Sequence, residues 1–454
     1  MKTYQDWLEV ANQSEDVRMK FIFNLIGEHK ESYAYLTAVA GEEYYAGQNS
    51  TIKAYRKVLY NHLDQEIPDL ISANHRISTR FFYRNVTQAN AVLLGNGITW
   101  KNNKGGKALS GGEDFDKVIV EAGRTAQCER VSFGFYNNGE VKIFKLLEFA
   151  PLLDEEDGAL KAGVRFWQIE TDKPLRATMF ELDGYTEYIY EDNEGRVLQE
   201  KRPYIIKIKQ SEADGEEIYE SKNYPTFPIV PCFANNLKQS ELEPIRSTID
   251  AYDLIQSGYA NDIDDANVIY WTITNAGGMD DKDLVATINK LKKIHASQVD
   301  EDQQLTPHQV EAPYAGREAI LSRLEKTLYK DAMAFNPYDV ASGAITATQI
   351  EAAYDPLNEK LDIYEGQLTD FIKRLLLLAD VDDTPSYTRS YNINKTEEIN
   401  AIMNASTVLD DIYMTEKIMT ILGDKDQIDT VLKRKAETDI DRMTGGSNAD
   451  TQTE

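Results

Sequence analysis

A cluster of three aspartates contains the residues whose types and spacing most suggest chemistry. Asp262, Asp264 and Asp265 lie within the stretch NDIDDAN at residues 261–267. Carboxylates spaced D-x-D-D can bind a divalent metal ion for nucleotidyl or glycosyl transfer. They can also form the solvated face of a helix, because charge runs on helices are usually of that kind. The choice between these two interpretations largely decides whether the chain is an enzyme.

The residues around the cluster predict one long amphipathic helix. Apolar residues recur at steps of three and four over residues 242–266, as they do on the buried stripe of a surface helix. Ser240 and Glu243 fit a capping box at the N-terminal end. The helix should contain about 27 residues and measure about 40 Å, since each residue adds about 1.5 Å.

This helix argues against a shared metal ion. Successive residues turn by about 100°, so Asp262 and Asp264 point to nearly opposite sides. Asp262 and Asp265 are neighbours, but two carboxylates without a histidine or a third ligand are a weak indication of a metal site. The spacing favours an extended, solvated acidic face, and no metal or cofactor is expected. The members of this acidic face are Asp250, Asp253, Asp262, Asp264 and Asp265.

Other catalytic patterns are weaker still. The five histidines show no H-E-x-x-H or H-x-x-x-H spacing, so a zinc site is not expected. The glycine-rich stretches at Gly95 and Gly105 lack the pattern G-x-x-x-x-G-K-[ST] of a phosphate-binding loop and are interpreted as an exposed loop. No nucleophile, base and oxyanion hole occur together. The sequence therefore predicts a protein without catalytic activity.

The charge balance limits the possible partners. The chain of 454 residues has 49 Lys and Arg against 76 Asp and Glu, which gives a net charge of -27. Such a chain should not bind DNA or an anionic membrane by electrostatic attraction. No apolar run approaches the roughly 20 residues that span a bilayer, and no signal peptide is apparent, so a soluble protein is expected. The two cysteines, Cys128 and Cys232, fit a reducing cytoplasm or a secreted protein without disulfide bridges.

Hydrophobic periodicity predicts an α+β chain. Helices are expected at residues 55–67 and 79–95. Asn138 and Gly139 predict a hairpin turn, because this pair tolerates positive φ angles. An antiparallel meander should follow, ending near residue 233.

A second helical block follows the meander. A helix at residues 314–335 should pair antiparallel with the helix over 242–266, and the two should bracket a small insert with a strand near 268–274 and a helix at 280–294. The rest of the prediction consists of a third helix at about 346–379 kinked at Pro356, a strand at 386–393, and two or three short helices between 396 and 443.

Pro228 and Pro231 bracket a predicted strand, and the paired Asn235 and Asn236 lead into the long helix that contains the aspartates. This stretch resembles a segment of tailed-bacteriophage portal proteins, in which a proline-bracketed strand and paired asparagines lead into a long stem helix. The order of the surrounding pieces is also similar, from EEYYAGQNSTI and FFYRNVTQANAVLLGNGITW to VRFWQIETDKP, LDGYTEYIYE and ASGAITATQIEAAYDPLNEKLDIYEGQL. The likeness covers roughly residues 42–404 and points to the portal branch common in siphophages of Gram-positive hosts. The residues that carry it in the central segment are Pro228, Pro231, Asn235, Asn236, Ser240, Leu242, Asp250, Tyr252, Asp253, Ser257, Asn261 and Asp262.

This resemblance implies a portal-like fold with an α/β wing, a two-helix stem, a small α/β clip, a long kinked helix and a short helical crown. The parts, carried over by position, are the wing at 1–239, stem helices at 240–267 and 314–335, the clip at 268–313, a tunnel loop at 336–346, the long kinked helix and a wing strand at 347–394, and the crown with a disordered tail at 395–454.

The same resemblance implies a dodecameric ring at one capsid vertex, assembled in the bacterial host cytoplasm, through which DNA is packaged and ejected. The implied partners are other copies of the chain, double-stranded DNA without sequence specificity, the terminase large subunit, the head-tail adaptor, and the major capsid and scaffold proteins, with no membrane. The tunnel loop nearest the DNA would be Asn336, Pro337, Tyr338, Asp339, Val340, Ala341, Ser342 and Gly343. The clip residues expected to contact partners are Asp280, Asp281, Lys282, Lys290, Lys292 and Lys293.

Three hypotheses of different classes follow. The first is a structural, pore-forming portal protein, in which acidic residues in the channel would let DNA slide without cumulative phosphate binding. The second is a metal-dependent phosphotransfer enzyme that uses Asp262, Asp264 and Asp265. The third is an acidic DNA mimic or capsid-associated protein that works as a monomer or dimer. Formation of a ring would distinguish the first hypothesis from the other two.

Overall fold

The chain mixes helices and antiparallel strands, which confirms the α+β class. The computed structural model describes residues 2–56, 58–60, 65–68, 73–110, 113–191, 194–210, 217–266, 270–274, 282, 304–308, 314–339, 347–390, 395–406, 408–422, 424 and 427–444. The described α-helices, α1 to α13, are Tyr4–Ala11, Glu15–Glu31, Tyr33–Tyr45, Ser50–Ala54, Phe81–Leu94, Gly105–Ala108, Glu113–Glu129, Arg246–Ala266, Tyr314–Asp331, Ala347–Leu378, Lys395–Asn404, Asp411–Leu422 and Ile428–Thr444. The described strands, β1 to β16, are Val58–Tyr60, Glu66–Pro68, Ile98–Trp100, Val131–Asn137, Glu140–Lys145, Phe149–Leu153, Leu160–Trp167, Leu175–Glu181, Gly184–Glu191, Glu194–Arg202, Ile205–Gln210, Glu217–Lys222, Ile229–Phe233, Tyr270–Thr274, Gln304–His308 and Pro385–Tyr387.

The chain divides into two compact units. The first contains Met1–Asn336 and Asp355–Thr388, and the second contains Pro337–Tyr354 and Arg389–Glu454. In the second unit the helices α11, α12 and α13 lie where two or three short helices were predicted. Lys435 Nζ of α13 pairs with Asp411 Oδ2 of α12 at 2.9 Å. The predicted tail beyond residue 444 lies outside the described residues.

The largest sheet of the first unit is the predicted meander. Its five strands lie in the order β10-β9-β8-β7-β6, and every neighbouring pair is antiparallel. One face of this sheet packs on α1 and α2 around the buried side chains of Trp7, Ile22 and Tyr188. The predicted hairpin turn is also confirmed, since Asn138 and Gly139 join β4 to β5 with φ angles of 52° and 94°.

The sheet β13-β4-β5 connects the meander to the long helix α10. Gly134 in β4 lies under Phe371 of α10, and a Cβ at this glycine would be 2.5 Å from the Phe371 ring. Glycine is therefore required by close packing at this point. Because α10 is buried here through Leu368 and Leu375 as well, it forms part of the core of the first unit.

The helices α8 and α9 form the predicted antiparallel pair. At one end Ile245 and Ile249 share a core with Leu328. At the other end the rings of Tyr259 and Tyr314 lie 5.9 Å apart. The short strands β14 and β15 are in the chain between the two helices and pair antiparallel with each other, which confirms the predicted strand near 268–274.

Three sequence-based predictions need correction or fall outside the described residues. The helix predicted at 55–67 is wrong, because β1 and β2 pair there, with Val58 opposite Pro68; the β-branched and aromatic residues outweigh the helical spacing. The predicted strand at 386–393 is limited to β16 among the described residues, and it pairs with β3. The helix predicted at 280–294 lies outside the described residues except for Lys282. Pro356 lies inside α10, as predicted, and the kink there stays a prediction.

The helix α8 is shorter at its start than predicted, because it begins at Arg246. Residues 241–245 form turns instead. The Ser240 hydroxyl donates to the carbonyls of Gln127 and Cys128, at 3.0 and 2.8 Å. The Ser240 N–H donates to Glu243 Oε1 at 3.1 Å, as in a capping box. Ser240 is thus tied to the end of α7, and the helix starts one and a half turns later.

Candidate functional site

The face of α8 that carries Asp253 is a buried polar site. Asp253 is fully buried and accepts hydrogen bonds from Asn49 Nδ2 at 2.8 Å and from the Thr79 N–H at 3.1 Å. Burial raises the pKa of Asp253, and the bonds from Asn49 and Thr79 partly oppose this rise. Asn49 Nδ2 also donates to Asp250 Oδ1 at 3.0 Å. The two carboxylates therefore share one amide.

Asp250 is held by hydroxyl groups from α3 and α4. The Tyr44 hydroxyl donates to Asp250 Oδ1, and Thr51 Oγ1 donates to its Oδ2 at 3.1 Å. Burial, followed by the bond to Asp250, raises the pKa of Tyr44 to about 12. The prediction of a solvated acidic face is wrong for Asp253, which is buried. Asp250 is only half-buried, but it is hydrogen-bonded to side chains that are distant in sequence.

The same face of α8 continues as a ladder of backbone contacts. The N–H groups of Thr79, Ile77 and His75 donate to Asp253, Ser257 and Asn261, respectively, at 3.1, 2.9 and 2.6 Å. The three acceptors are four residues apart on the helix, and the three donors are two residues apart on an extended segment. Four helical residues rise by about 6.0 Å, which is close to the length of two extended residues, about 6.6 Å. We call residues 75–79 with these three side chains the polar ladder.

The polar ladder explains why α8 has polar residues at positions 253, 257 and 261. Asp253, Ser257 and Asn261 were singled out as carriers of a resemblance, and each satisfies one backbone N–H of residues 75–79. Buried N–H groups without an acceptor are costly, so short polar side chains are needed at these positions. The spacing of four residues between these polar side chains on α8 was visible in the sequence. Their partner segment, residues 75–79, was not predicted.

The aspartates at the end of α8 point apart, as the helix geometry predicted. Asp262 pairs with Arg317 of α9, and Asp264 pairs with His75. Only the backbone of Asp265 is described. Among the described residues no group of three His, Cys, Asp or Glu side chains could hold a metal ion. The proposed phosphotransfer site at these aspartates is therefore unsupported.

A second, largely enclosed cluster joins α10 to the turn before α8. Lys360 Nζ pairs with Glu241 Oε2 at 2.8 Å and donates to the Ala332 carbonyl at 3.1 Å. Asn235 Nδ2 donates to Glu241 Oε1 at 2.8 Å. Burial would raise the pKa of Glu241, but Lys360 and Asn235 outweigh it and hold the pKa below its ordinary value. The sequence pointed to Asn235, but it did not predict the ion pair of Glu241 with Lys360, because these two residues lie over a hundred positions apart.

A third cluster contains two carboxyl groups between α3 and α7. Glu129 is fully buried, and the Leu147 N–H donates to its Oε2 at 3.2 Å. Burial, followed by the hydrogen bond and charge of Glu42, raises the pKa of Glu129 strongly. The pKa of Glu42 is lowered, because the neighbouring Glu129 and the charge of Arg124, whose Nη1 lies 3.0 Å from Glu42 Oε1, outweigh the effect of its burial. The pKa values of the two carboxyl groups are thus shifted in opposite directions.

The residues predicted for the tunnel loop and the clip are described only in part. Pro337–Asp339 forms one turn of 3-10 helix, and Tyr338 is 66% exposed. Val340, Ala341, Ser342 and Gly343 lie outside the described residues, and of Asp339 only the backbone is described. Lys282 is exposed. The other predicted clip contacts, Asp280, Asp281, Lys290, Lys292 and Lys293, also lie outside the described residues.

Two predictions about the general character of the chain were made from composition. Among the helices that the structure describes, none has a long enough apolar stretch to cross a bilayer. Cys128 and Cys232 are both free and buried. Burial raises the pKa of both thiols, so they remain protonated at neutral pH.

Comparison with known proteins identifies relatives of this chain. A family model described as "Phage portal protein, SPP1 Gp6-like" matches residues 22–440. The portal protein of Clostridium phage phiCD119 is 28% identical over 194 residues, which is 40% of this chain and 43% of that protein. The match thus spans less than half of the length of this curated relative.

Solved structures of gene transfer agent particles are also similar. A chain from the virion of the native particle is 9% identical, covering 75% of this chain and 89% of that chain with a TM-score of 0.42. A chain from the native neck, computed with C12 symmetry, is 9% identical, with coverages of 74% and 89% and a TM-score of 0.43.

Proposed function

Because the chain belongs to the phage portal protein family of the SPP1 Gp6-like type, we propose that it forms a closed dodecameric ring at one vertex of a phage capsid. The central channel of the ring is the path by which double-stranded DNA enters during packaging and leaves during ejection. The protein is a structural component of the virion, assembled in the host cytoplasm, and it has no catalytic activity of its own. The observation that carries this proposal is the family match over residues 22–440.

The antiparallel pair of α8 and α9 supports the assignment of a stem. Residues 240–267 and 314–335 are the proposed stem helices, and residues 268–313, which include β14 and β15, are the proposed clip. The clip docks the terminase large subunit during packaging and the head-tail adaptor afterwards. Its proposed contact residues are Asp280, Asp281, Lys282, Lys290, Lys292 and Lys293.

The remaining parts follow in chain order. Residues 1–239 are the proposed wing, to which α10 and β16 in 347–394 also belong, and residues 336–346 are the proposed tunnel loop nearest the DNA. Residues 395–454 are the proposed crown and tail. Asp250 and Asp253 are engaged in hydrogen bonds within the chain, so the repulsion that lets DNA slide comes from the overall charge of -27 per subunit.

Native mass spectrometry with negative-stain imaging of the purified protein tests this proposal. We expect rings of about a dozen subunits with a central hole, because heterologous contacts between identical subunits close when the rotation per subunit divides a full turn. A protein that stays monomeric or dimeric at high concentration, and also in the presence of its scaffold and capsid proteins, would contradict the proposal.

A further inference from the structure

One side of α9 is basic and exposed. Arg323, Lys326 and Lys330 follow one another at steps of three and four residues, so they share one side of the helix. None of the three forms an ion pair with another residue that the structure describes. Ile320, next to this side, is 50% exposed. The opposite side of α9 carries Leu328, which is buried against α8.

One side of α10 is acidic and exposed. Asp355, Glu359 and Asp370 lie within about 60° of one another around the helix axis, and all three are exposed. None of them has an ion-pair partner within the described part of the chain. Ile363 and Leu377 lie on the same side and are 44% and 73% exposed. Lys373 is also exposed on this side of α10, and Asp331 is exposed beside Ile320 on α9. Each helix thus presents exposed aliphatic side chains among charges that are mainly of one sign.

The two sides do not meet within one chain. Both are exposed, and the contact between the end of α9 and α10 is made by Lys360, which donates to the Ala332 carbonyl from a different side of α10. We propose that the basic side of α9 in one subunit binds the acidic side of α10 in the neighbouring subunit. This inference rests on the ring proposed above and identifies the surfaces that close it.

A second copy of the chain fits these surfaces better than DNA does. A heterologous contact needs two different patches on the same chain, and opposite charges fix their register. Exposed Ile320, Ile363 and Leu377 would be buried by a protein partner, whereas phosphates would leave them in water. At Gly366 an added Cβ would meet no atom within 4 Å, so the neighbouring helix can approach closely there. The net charge of -27 also opposes DNA binding.

Charge reversal tests this interface. One variant carries Arg323→Glu, Lys326→Glu and Lys330→Glu, a second carries Asp355→Lys, Glu359→Lys and Asp370→Lys, and a third combines all six. We expect each of the first two to raise the concentration at which half of the protein is in rings by about tenfold or more, and the combined variant to return to within about threefold of wild type. The control reverses the same number of charges on exposed lysines in and just before α6 through K101E, K104E and K107E, and should assemble like wild type.

The outcomes separate this inference from the proposed function. If wild type forms rings and both three-residue variants do too, the interface is wrong and the portal assignment stands. If the combined variant does not recover ring formation, the charges of α9 and α10 do not pair as proposed. If the α9 variant keeps its rings but no longer retains duplex DNA, the basic side binds DNA instead. A wild type without rings would overturn the ring itself. Circular dichroism checks that each variant is folded. If the α9 variant with three glutamates is not folded, a variant with R323Q, K326Q and K330Q takes its place.

Discussion

At the scale of single residues, Asp253 is the side chain on which the polar ladder depends most. It accepts from Asn49 and from the Thr79 N–H while fully buried. We expect Asp253→Ala to lower the free energy of unfolding by about 2 kcal/mol, because two buried donors lose their acceptor. Urea unfolding measures this loss. The matched control is Asp264→Ala, because the Asp264 side chain is 53% exposed. This substitution should lower the free energy of unfolding by less than about 1 kcal/mol. Equal losses in both variants would contradict the role of the ladder.

The raised pKa of Glu129 predicts a dependence of stability on pH. The pKa of Glu129 is raised above its unfolded value of 4.5, so its contribution to stability is fully present below about pH 4.5 and is lost as the pH rises through the folded pKa. Glu129→Gln keeps an acceptor for the Leu147 N–H and carries no charge. We therefore expect the variant to exceed wild type in stability by about 1 kcal/mol or more at high pH. Urea midpoints at several pH values measure this difference, and parallel profiles for the two proteins would contradict it.

At the scale of elements, Lys360 connects α10 to the turn before α8 and to the end of α9. We expect Lys360→Met to lower the free energy of unfolding by about 3 kcal/mol, because Glu241, whose side chain is only 15% exposed, would remain charged without its partner. The double variant with Glu241→Gln should recover part of this loss, since the uncompensated charge is removed. Chemical unfolding of the two single variants and the double variant measures the coupling. Strictly additive losses would show that the pair is not coupled.

The elements also show how far the sequence predicts the fold. The hairpin at Asn138, the meander and the antiparallel pair of α8 and α9 were predicted correctly, because turn chemistry and apolar periodicity are local signals. The helix predicted at 55–67 was wrong because β1 and β2 are stabilised by pairing with each other. The burial of Asp253 was missed for the same kind of reason. Its partners Asn49 and Thr79 lie more than 170 residues away in the chain, and no local pattern records them.

At the scale of the whole molecule, metal removal should have no effect. Asp262 and Asp264 are paired with separate basic side chains, so their charges do not converge on an ion. We expect a chelator to leave both the melting temperature and the fraction of rings unchanged, and the substitutions Asp262→Asn and Asp265→Asn to leave ring formation intact. Thermal unfolding with and without Mg²⁺ and EDTA checks this. A melting temperature raised by Mg²⁺ in wild type, and not in the substituted protein, would restore the metal-site hypothesis.

The polar ladder also restricts how α8 can move. Its three acceptors lie one turn apart and each binds an N–H of the same extended segment. Turning the helix about its own axis by a single residue, about 100°, would break all three bonds at once, whereas tilting the helix together with residues 75–79 would break none. The segment therefore opposes rotation of α8 about its own axis. It also couples any movement of α8 along that axis to movement of residues 75–79. Any displacement of α8 that keeps these three bonds must therefore move residues 75–79 together with the helix.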